Sequence, residues 1–253
     1  MSLLHKIQFQ FQKAYRLAWY HLRYRIYPWH SVAGVNFPVV LSMGYSVLRF
    51  INDGSYEGPL IDIVDNTLEP NDRVLELGAG MGFVSTFCAK KIGSDRVFTF
   101  EANKKLQPLI NKMYAANQVQ PTLQFGLLGQ GKKQTAFYTH NDSFLASSMH
   151  QLEDTTVAVI DQFDLNETIR SIKPTYLVLD IEGAEYDILK HIDFHTIRKI
   201  QLETHPTIVS EKKMQEVYER LVTYGFMKDT RFAHPENFFF YKNDVGLMGT
   251  TNG

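Results

Sequence analysis

The stretch Val74-Leu75-Glu76-Leu77-Gly78-Ala79-Gly80-Met81-Gly82 decides how the rest of the chain is read. Its first four residues form a short apolar run, broken only by Glu76, of the kind that fills a buried strand. Three glycines at alternate positions follow, and from Phe83 the pattern turns helical. Strand, glycine turn and helix in that order open an α/β unit, and the glycines let the turn's backbone approach a ligand closely. The spacing is Gly-x-Gly-x-Gly, whereas a dinucleotide fingerprint carries its third glycine one place later, where Phe83 stands. A nucleotide-dependent oxidoreductase is therefore the weaker reading.

Charge narrows the ligand further. Glu76, two residues before the first glycine, puts a carboxylate where it can hold the loop and face a cationic amino-acid group. A pyrophosphate would be repelled there, whereas S-adenosyl-L-methionine has no phosphate and carries an ammonium and a sulfonium. The next strand-like run, Arg96-Val97-Phe98-Thr99-Phe100-Glu101, ends in an acid 23 positions after Gly78. A carboxylate at that point of a nucleotide-binding α/β fold can accept hydrogen bonds from both ribose hydroxyls. Glu76, Gly78, Ala79, Gly80, Gly82, Glu101 and Ala102 are the expected cofactor-binding residues.

Outward from this unit the α/β rhythm continues. Strand-like runs at Arg73 to Leu77, Val97 to Glu101, Leu123 to Leu128, Tyr176 to Asp180 and Ile197 to Glu203 alternate with helical patterns. The helices are expected at Phe83 to Ile92, Lys104 to Asn117, Leu165 to Ile172, Glu185 to His191 and Glu211 to Tyr224. That alternation predicts a mostly parallel sheet. Phe226 to Arg231 and Phe238 to Tyr241, around a turn at His234 to Asn237, read as a terminal antiparallel hairpin.

With Leu179-Asp180-Ile181-Glu182-Gly183-Ala184-Glu185 added to these residues, the chain resembles the FkbM-type family of S-adenosylmethionine-dependent methyltransferases. The resemblance spans roughly Tyr56 to Tyr241 and takes in the glycine loop, Phe100-Glu101-Ala102-Asn103, the Asp-x-Glu-Gly-Ala-Glu segment and Leu202-Glu203-Thr204-His205. It implies a Rossmann-like class I methyltransferase with a seven-stranded sheet, usually one that O-methylates a hydroxyl on a sugar, glycan or secondary metabolite. The chain departs from that pattern at Val178, where a lysine commonly precedes the acidic motif, and in its aromatic-rich basic amino terminus.

Ligands of open parallel sheets lie beyond the carboxyl ends of the strands, so Glu76, Glu101, Asp180 and Glu203 should border one crevice. Asp180, Glu182 and His205 are the catalytic candidates, since methylating a hydroxyl requires removal of its proton and Asp180 or His205 can take it. Asp180, Glu182 and Glu203 also offer the oxygen ligands that a divalent cation such as magnesium or calcium prefers. The bland alternative leaves Glu182 as a helix cap, Glu185 solvated and His205 shaping a loop before Pro206. The polar segment from Phe137 to His150 reads as a substrate-facing loop, with His140, Ser147 and Ser148, alongside Glu203, as acceptor contacts. A noncatalytic protein that retains only the cofactor pocket is the rival of a different class.

The 253 residues suit one α/β domain with an appendage, and 44% hydrophobic against 21% charged residues is a globular balance. A net charge of −1 conceals a division: residues 1–52 hold six basic residues and no acid, leaving 20 basic and 27 acidic residues beyond. The expected organisation is an extension over residues 1–53, a methyltransferase domain over 54–243 and a tail over 244–253. From Leu4 to Ile26, Leu4, Ile7, Phe11, Ala14, Ala18, Leu22 and Ile26 recur at helical spacing opposite Lys6, Lys13, Arg16 and Arg23. This basic amphipathic helix could pack on the domain, lie on an anionic membrane or dock a protein. The uncharged stretch from Ser31 to Leu48 reads as irregular, and no nucleic-acid motif accompanies the basic residues. One cysteine, Cys88, and no secretory layout at the amino terminus lead to an expectation of a cytoplasmic protein, or one peripheral to a membrane.

Overall fold

The computed structural model describes residues 3–40, 43–140, 147–148, 155–206, 208–232 and 234–243. The amino-terminal part opens with α1 (Leu3–Ile26) and a hairpin of β1 (Trp29–Val32) and β2 (Val35–Pro38), followed by α2 (Tyr45–Asn52) and α3 (Gly58–Thr67). The hairpin and α2 replace the irregular packing expected between Ser31 and Leu48. Ala33 and Gly34, with φ of 46° and 75°, make the two-residue turn that pairs Val32 with Val35.

The larger α/β body follows as β3 (Val74–Leu77), α4 (Phe83–Ile92), β4 (Val97–Glu101), α5 (Gln107–Asn117) and β5 (Thr122–Phe125). Next come β6 (Leu127–Gly129), β7 (Lys133–His140), β8 (Ser147–Ser148), β9 (Thr155–Asp164), α6 (Leu165–Ile172) and β10 (Tyr176–Leu179). The chain ends with α7 (Glu185–His191), β11 (Lys199–Glu203), α8 (Glu211–Thr223), β12 (Phe226–Lys228) and β13 (Asn237–Lys242). Seven strands form one sheet in the order β12-β13-β11-β10-β3-β4-β5. Pairing is parallel from β5 to β11, and β13 runs antiparallel to both β11 and β12, as the terminal hairpin requires.

This order reverses direction between β3 and β10, so the chain leaves β3 on one side and returns to its other side. A crevice opens at such a reversal, beyond the carboxyl ends of the strands. Register fixes what meets there: Leu77 lies beside both Phe100 and Leu179, and Leu179 lies beside Leu202. The residues one step further on, Glu101, Gly78, Asp180 and Glu203, therefore stand in a row along the sheet edge.

Alternation along the strands divides the core into two layers. Val74, Tyr176, Val178 and Phe239 face α4, α5 and the amino-terminal elements, while Leu75, Leu77, Leu177 and Leu179 face the α6–α8 side. Phe37 and Val35 of β2 are fully buried in the first layer, so the extension shares its core with the domain. Asn117 clamps the join, accepting from Asn36 N at 2.8 Å and donating to Asn36 O and Met113 O, each at 2.8 Å.

Two further expectations change. The run from Leu123 to Leu128 is two strands, because Gly126 at φ 138° turns the chain out of the large sheet and into a four-stranded one ordered β6-β9-β7-β8. The segment from Phe137 to His150 is not simply a loop either: it begins in β7, whose long antiparallel pairing with β9 runs from Lys133–Gln162 to His140–Thr155. His140 ends β7 and Ser147-Ser148 forms β8, while residues 141–146 and 149–154, His150 among them, and the 244–253 tail lie outside the described residues.

Candidate active site

The glycine loop shows why each glycine is there. A side chain at Gly78 (φ 90°) would place its Cβ 1.7 Å from the Asp180 carbonyl oxygen, so the first turn admits no other residue. Gly82 (φ 78°) precedes α4, and a Cβ there would press on Ile110 and Tyr114 of α5 at 3.0 Å. Gly80 (φ 52°) instead has open space before it, on the cleft side. The three positions separate into strand contact, ligand face and helix contact.

Glu101 organises the loop from the next strand. One carboxylate oxygen accepts from Gly80 N at 2.8 Å and the other from Asn103 N at 2.6 Å. Burial pushes its pKa up to about 7 against the pull of backbone N–H groups from Asn103, Gly80, Ala102 and Ala79. Glu101 borders the cleft beside Ala102, where its carboxylate faces the space a ligand's hydroxyls would fill.

Glu76 lies deeper than Glu101 and does not line the larger cleft. Its side chain is buried beneath the loop, accepting from Thr99 Oγ1 at 2.5 Å, and borders a small hollow together with Gly78, Gly80 and Asp180, which also line the main cleft. Burial raises its pKa to about 7, with the Thr99 and Ser85 hydroxyls opposing the rise. Val178 is its register neighbour on β10, where the resemblance would place a lysine. No cation comes from that position to pair with Glu76, which supports the loop from below.

The cleft itself encloses about 660 Å³, within the range of small-molecule sites. Gly78, Gly80, Glu101, Ala102, Asp180 and Glu182 all line it. Asp180 and Glu182 line the cleft, whereas Glu203, expected at its border, and His205 stand behind them: His205 Nδ1 lies 2.7 Å from Glu185 Oε1, and Nε2 lies 3.5 Å from Glu182 Oε2 and 3.7 Å from Asp180 Oδ1. Glu185 is completely buried at the start of α7, which corrects its reading as a solvated residue. Glu182 is not the cap of α7, since Ala184 holds that position. One ligand atom each from Asp180, Glu203 and His205 falls within 4.8 Å of the others, so the possible cation cluster includes His205.

Burial, then the neighbouring acids, raise the pKa values of Asp180 and Glu203. Burial lifts Asp180 well above the usual carboxylate range, reinforced by the charges of Glu57, Glu203, Glu182 and Glu185. Burial and the Glu182 charge lift Glu203, with His205 opposing. For His205, burial works against the imidazolium, but the Glu185 hydrogen bond and the charges of Glu185, Glu182 and Glu203 outweigh it and its pKa rises.

Sequence reasoning missed Glu57 and Tyr56, which border the cleft, and the Gln130, Lys133 and Gln162 side of it supplied by the smaller sheet. Before Gly58-Pro59, Glu57 has the local signature of a helix cap, yet its side chain makes no capping bond and its pKa is pushed up to about 7 by burial and the Glu203 charge. Its φ of 52°, and 50° at Glu182, is strained for a residue with a side chain, a cost often retained at functional sites.

The FkbM methyltransferase domain model matches residues 76–232, which runs from Glu76 through the glycine loop and the Asp180 segment to Phe232. The chain belongs to the FkbM methyltransferase family. It is accordingly an S-adenosylmethionine-dependent methyltransferase, and its strand order is that of a Rossmann-like class I enzyme. A search of curated protein sequences returned no match.

Among solved structures, the FkbM domain is similar to methyltransferase FkbM from Methylobacillus flagellatus KT, with 15% identity, a TM-score of 0.47, and coverage of 78% of this chain and 53% of that one. It is also similar to precorrin-6y C5,15-methyltransferase from Geobacter metallireducens GS-15, with 13% identity, a TM-score of 0.43, and coverage of 74% and 88%. A third is the Pyrococcus abyssi tRNA (uracil-54, C5)-methyltransferase in complex with S-adenosyl-L-homocysteine, with 11% identity, a TM-score of 0.43, and coverage of 84% and 42%. The chain thus spans about half or less of the first and third of these proteins.

The cleft of this FkbM domain fits its cofactor class. Gly80 leaves room for a ligand against the loop backbone, Glu101 keeps acceptors for hydroxyls, and Ala102, Leu127 and Leu128 give an apolar wall for a base. The acidic row at Asp180 lies across the same hollow, suited to a cationic centre.

Proposed function

We propose that this FkbM domain O-methylates a hydroxyl on a sugar, glycan or similar polyhydroxylated metabolite. The observation that carries the reading is His205, held at Nδ1 by the buried Glu185 with its Nε2 directed at the carboxylates of the cleft. S-adenosylmethionine supplies a methyl group on a sulfonium, transferred by direct displacement. An alcohol attacking such a centre must give up its proton, and an imidazole oriented by a buried carboxylate is suited to receive it. Asp180 and Glu182 orient the acceptor by accepting from its neighbouring hydroxyls, and Glu203 stands behind them beside His205. Glu101 holds the ribose and the Gly78 to Gly82 loop the amino-acid end of the cofactor.

Turnover to S-adenosylhomocysteine should be measured across a panel of sugar, glycan and amine acceptors, with the methylated atom located by NMR. A methyl ether is the expected product. His205→Ala and Glu185→Gln should each lower kcat by about 10²-fold or more while cofactor affinity holds. An N-methylated product, or full activity in His205→Ala, would overturn the assignment.

A second reading rests on the convergence of Asp180, Glu203 and His205, whose mixed oxygen and nitrogen donors suit a divalent cation. With Glu182 alongside, such a cation would relieve the mutual repulsion of the acids and lower the pKa of a bound hydroxyl. Loss of activity on chelation, restored by magnesium or calcium, would favour it; indifference to chelation leaves His205 as the base.

A further inference from the structure

The helix α1 has two apolar faces, and the domain uses one of them. Leu17, Tyr20 and Tyr24 turn inward, with Tyr20 and Tyr24 almost wholly buried and Tyr20 packed 6.2 Å from Tyr45 of α2. Two positions on from Tyr20 and Tyr24, roughly 200° around the helix, stand Leu22 and Ile26. With Phe11 and Tyr15 they form a stripe on the outside, exposed by 74% at Phe11, 76% at Tyr15, 63% at Leu22 and 62% at Ile26. Trp19, Tyr27 and Trp29 extend this surface at its edge and at the end of the helix. The positions that give the sequence its amphipathic spacing are therefore largely the ones that face away from the protein.

We propose that this outward face is a docking surface for an anionic lipid membrane. Charge complementarity selects the occupant. Residues 1–52 carry six cations and no acid, and the exposed Arg16 and Arg25 flank the stripe on either side. Apolar side chains between arginines, with tryptophan and tyrosine at the margins, match the layered polarity of a headgroup region. A second copy of α1 would bring the same positive segment against itself and be repelled. None of the described helices is long and apolar enough to cross a membrane, so the contact lies along the surface. It leaves the inward face of α1, and the cleft, as they are.

Flotation of the full chain with vesicles of phosphatidylcholine alone, and of phosphatidylcholine with phosphatidylserine, tests the proposal. Binding should be confined to the anionic vesicles and weaken with salt. It should fall at least about tenfold in Tyr15→Ser/Leu22→Ser/Ile26→Ser and likewise in Arg16→Glu/Arg25→Glu. All five side chains are exposed, and unchanged circular dichroism and cofactor affinity would show that the variants remain folded. Absence of vesicle binding, or equal binding to both vesicle types, would overturn it. So would a concentration-dependent dimer in sedimentation that the serine variant abolishes, since a second copy would then cover the stripe.

Discussion

Glu76 links the fold to pH. In the unfolded chain a glutamate titrates near its ordinary value of 4.5, whereas burial beneath the glycine loop raises the folded value to about 7. Between these values the folded protein holds more protons than the unfolded one, so this group makes stability fall as pH rises. Glu76→Gln keeps the shape and removes the titration. Thermal unfolding from pH 4.5 to 7 should show a shallower loss of stability in the variant, and parallel profiles would refute a buried charge at this position. Glu101 carries the same upward shift, but its oxygens point to the cleft, so its loss belongs to binding. Glu101→Ala should weaken S-adenosylmethionine by about tenfold or more in calorimetry, in line with charge-assisted hydrogen bonds. The place of Glu101 was legible because an acid ending the second strand has one common geometric use; that of Glu76 was not, because spacing cannot say whether a strand residue points up into a crevice or down into a core.

At the scale of elements, the sequence was most readable where a single local rule operates. The limits of α4, α6 and α7 coincide with the periodic patterns, because a glycine, an aspartate cap or an apolar stripe marks each. Asp164, for example, accepts from Glu167 N at 2.8 Å to start α6. The smaller sheet was illegible because β7 and β9 are held by pairing across an intervening stretch and show little alternation that depends on a core. Likewise β1 and β2 are seated by the burial of Val35 and Phe37 and by the Asn36–Asn117 bonds, which span 81 positions. Asn117→Ala removes three bonds to partly or fully buried groups and should destabilise the protein by about 2 kcal/mol in denaturant titration. An unchanged midpoint would mean that apolar packing alone seats the hairpin.

Across the whole molecule, Phe37 of the extension, Tyr56 of the cleft and Phe83 at the start of α4 meet edge to face and tilted, with centroids 5.3 to 5.6 Å apart. The extension is thus built into the wall of the site, although its composition had set it apart. Phe37→Ala should cost about 3–5 kcal/mol of stability and raise the acceptor KM by loosening Tyr56; a stability loss with unchanged KM would confine its role to packing. The contact at Gly78 has a wider consequence. Because even one added carbon would strike the Asp180 backbone, the two halves of the reaction chamber are set at a fixed gauge, one that substitution cannot widen gradually. New acceptors must then be accommodated elsewhere along the rim, and the outlying strand that carries the exposed Lys133 is the part that can be retailored without disturbing the distance over which a methyl group has to travel.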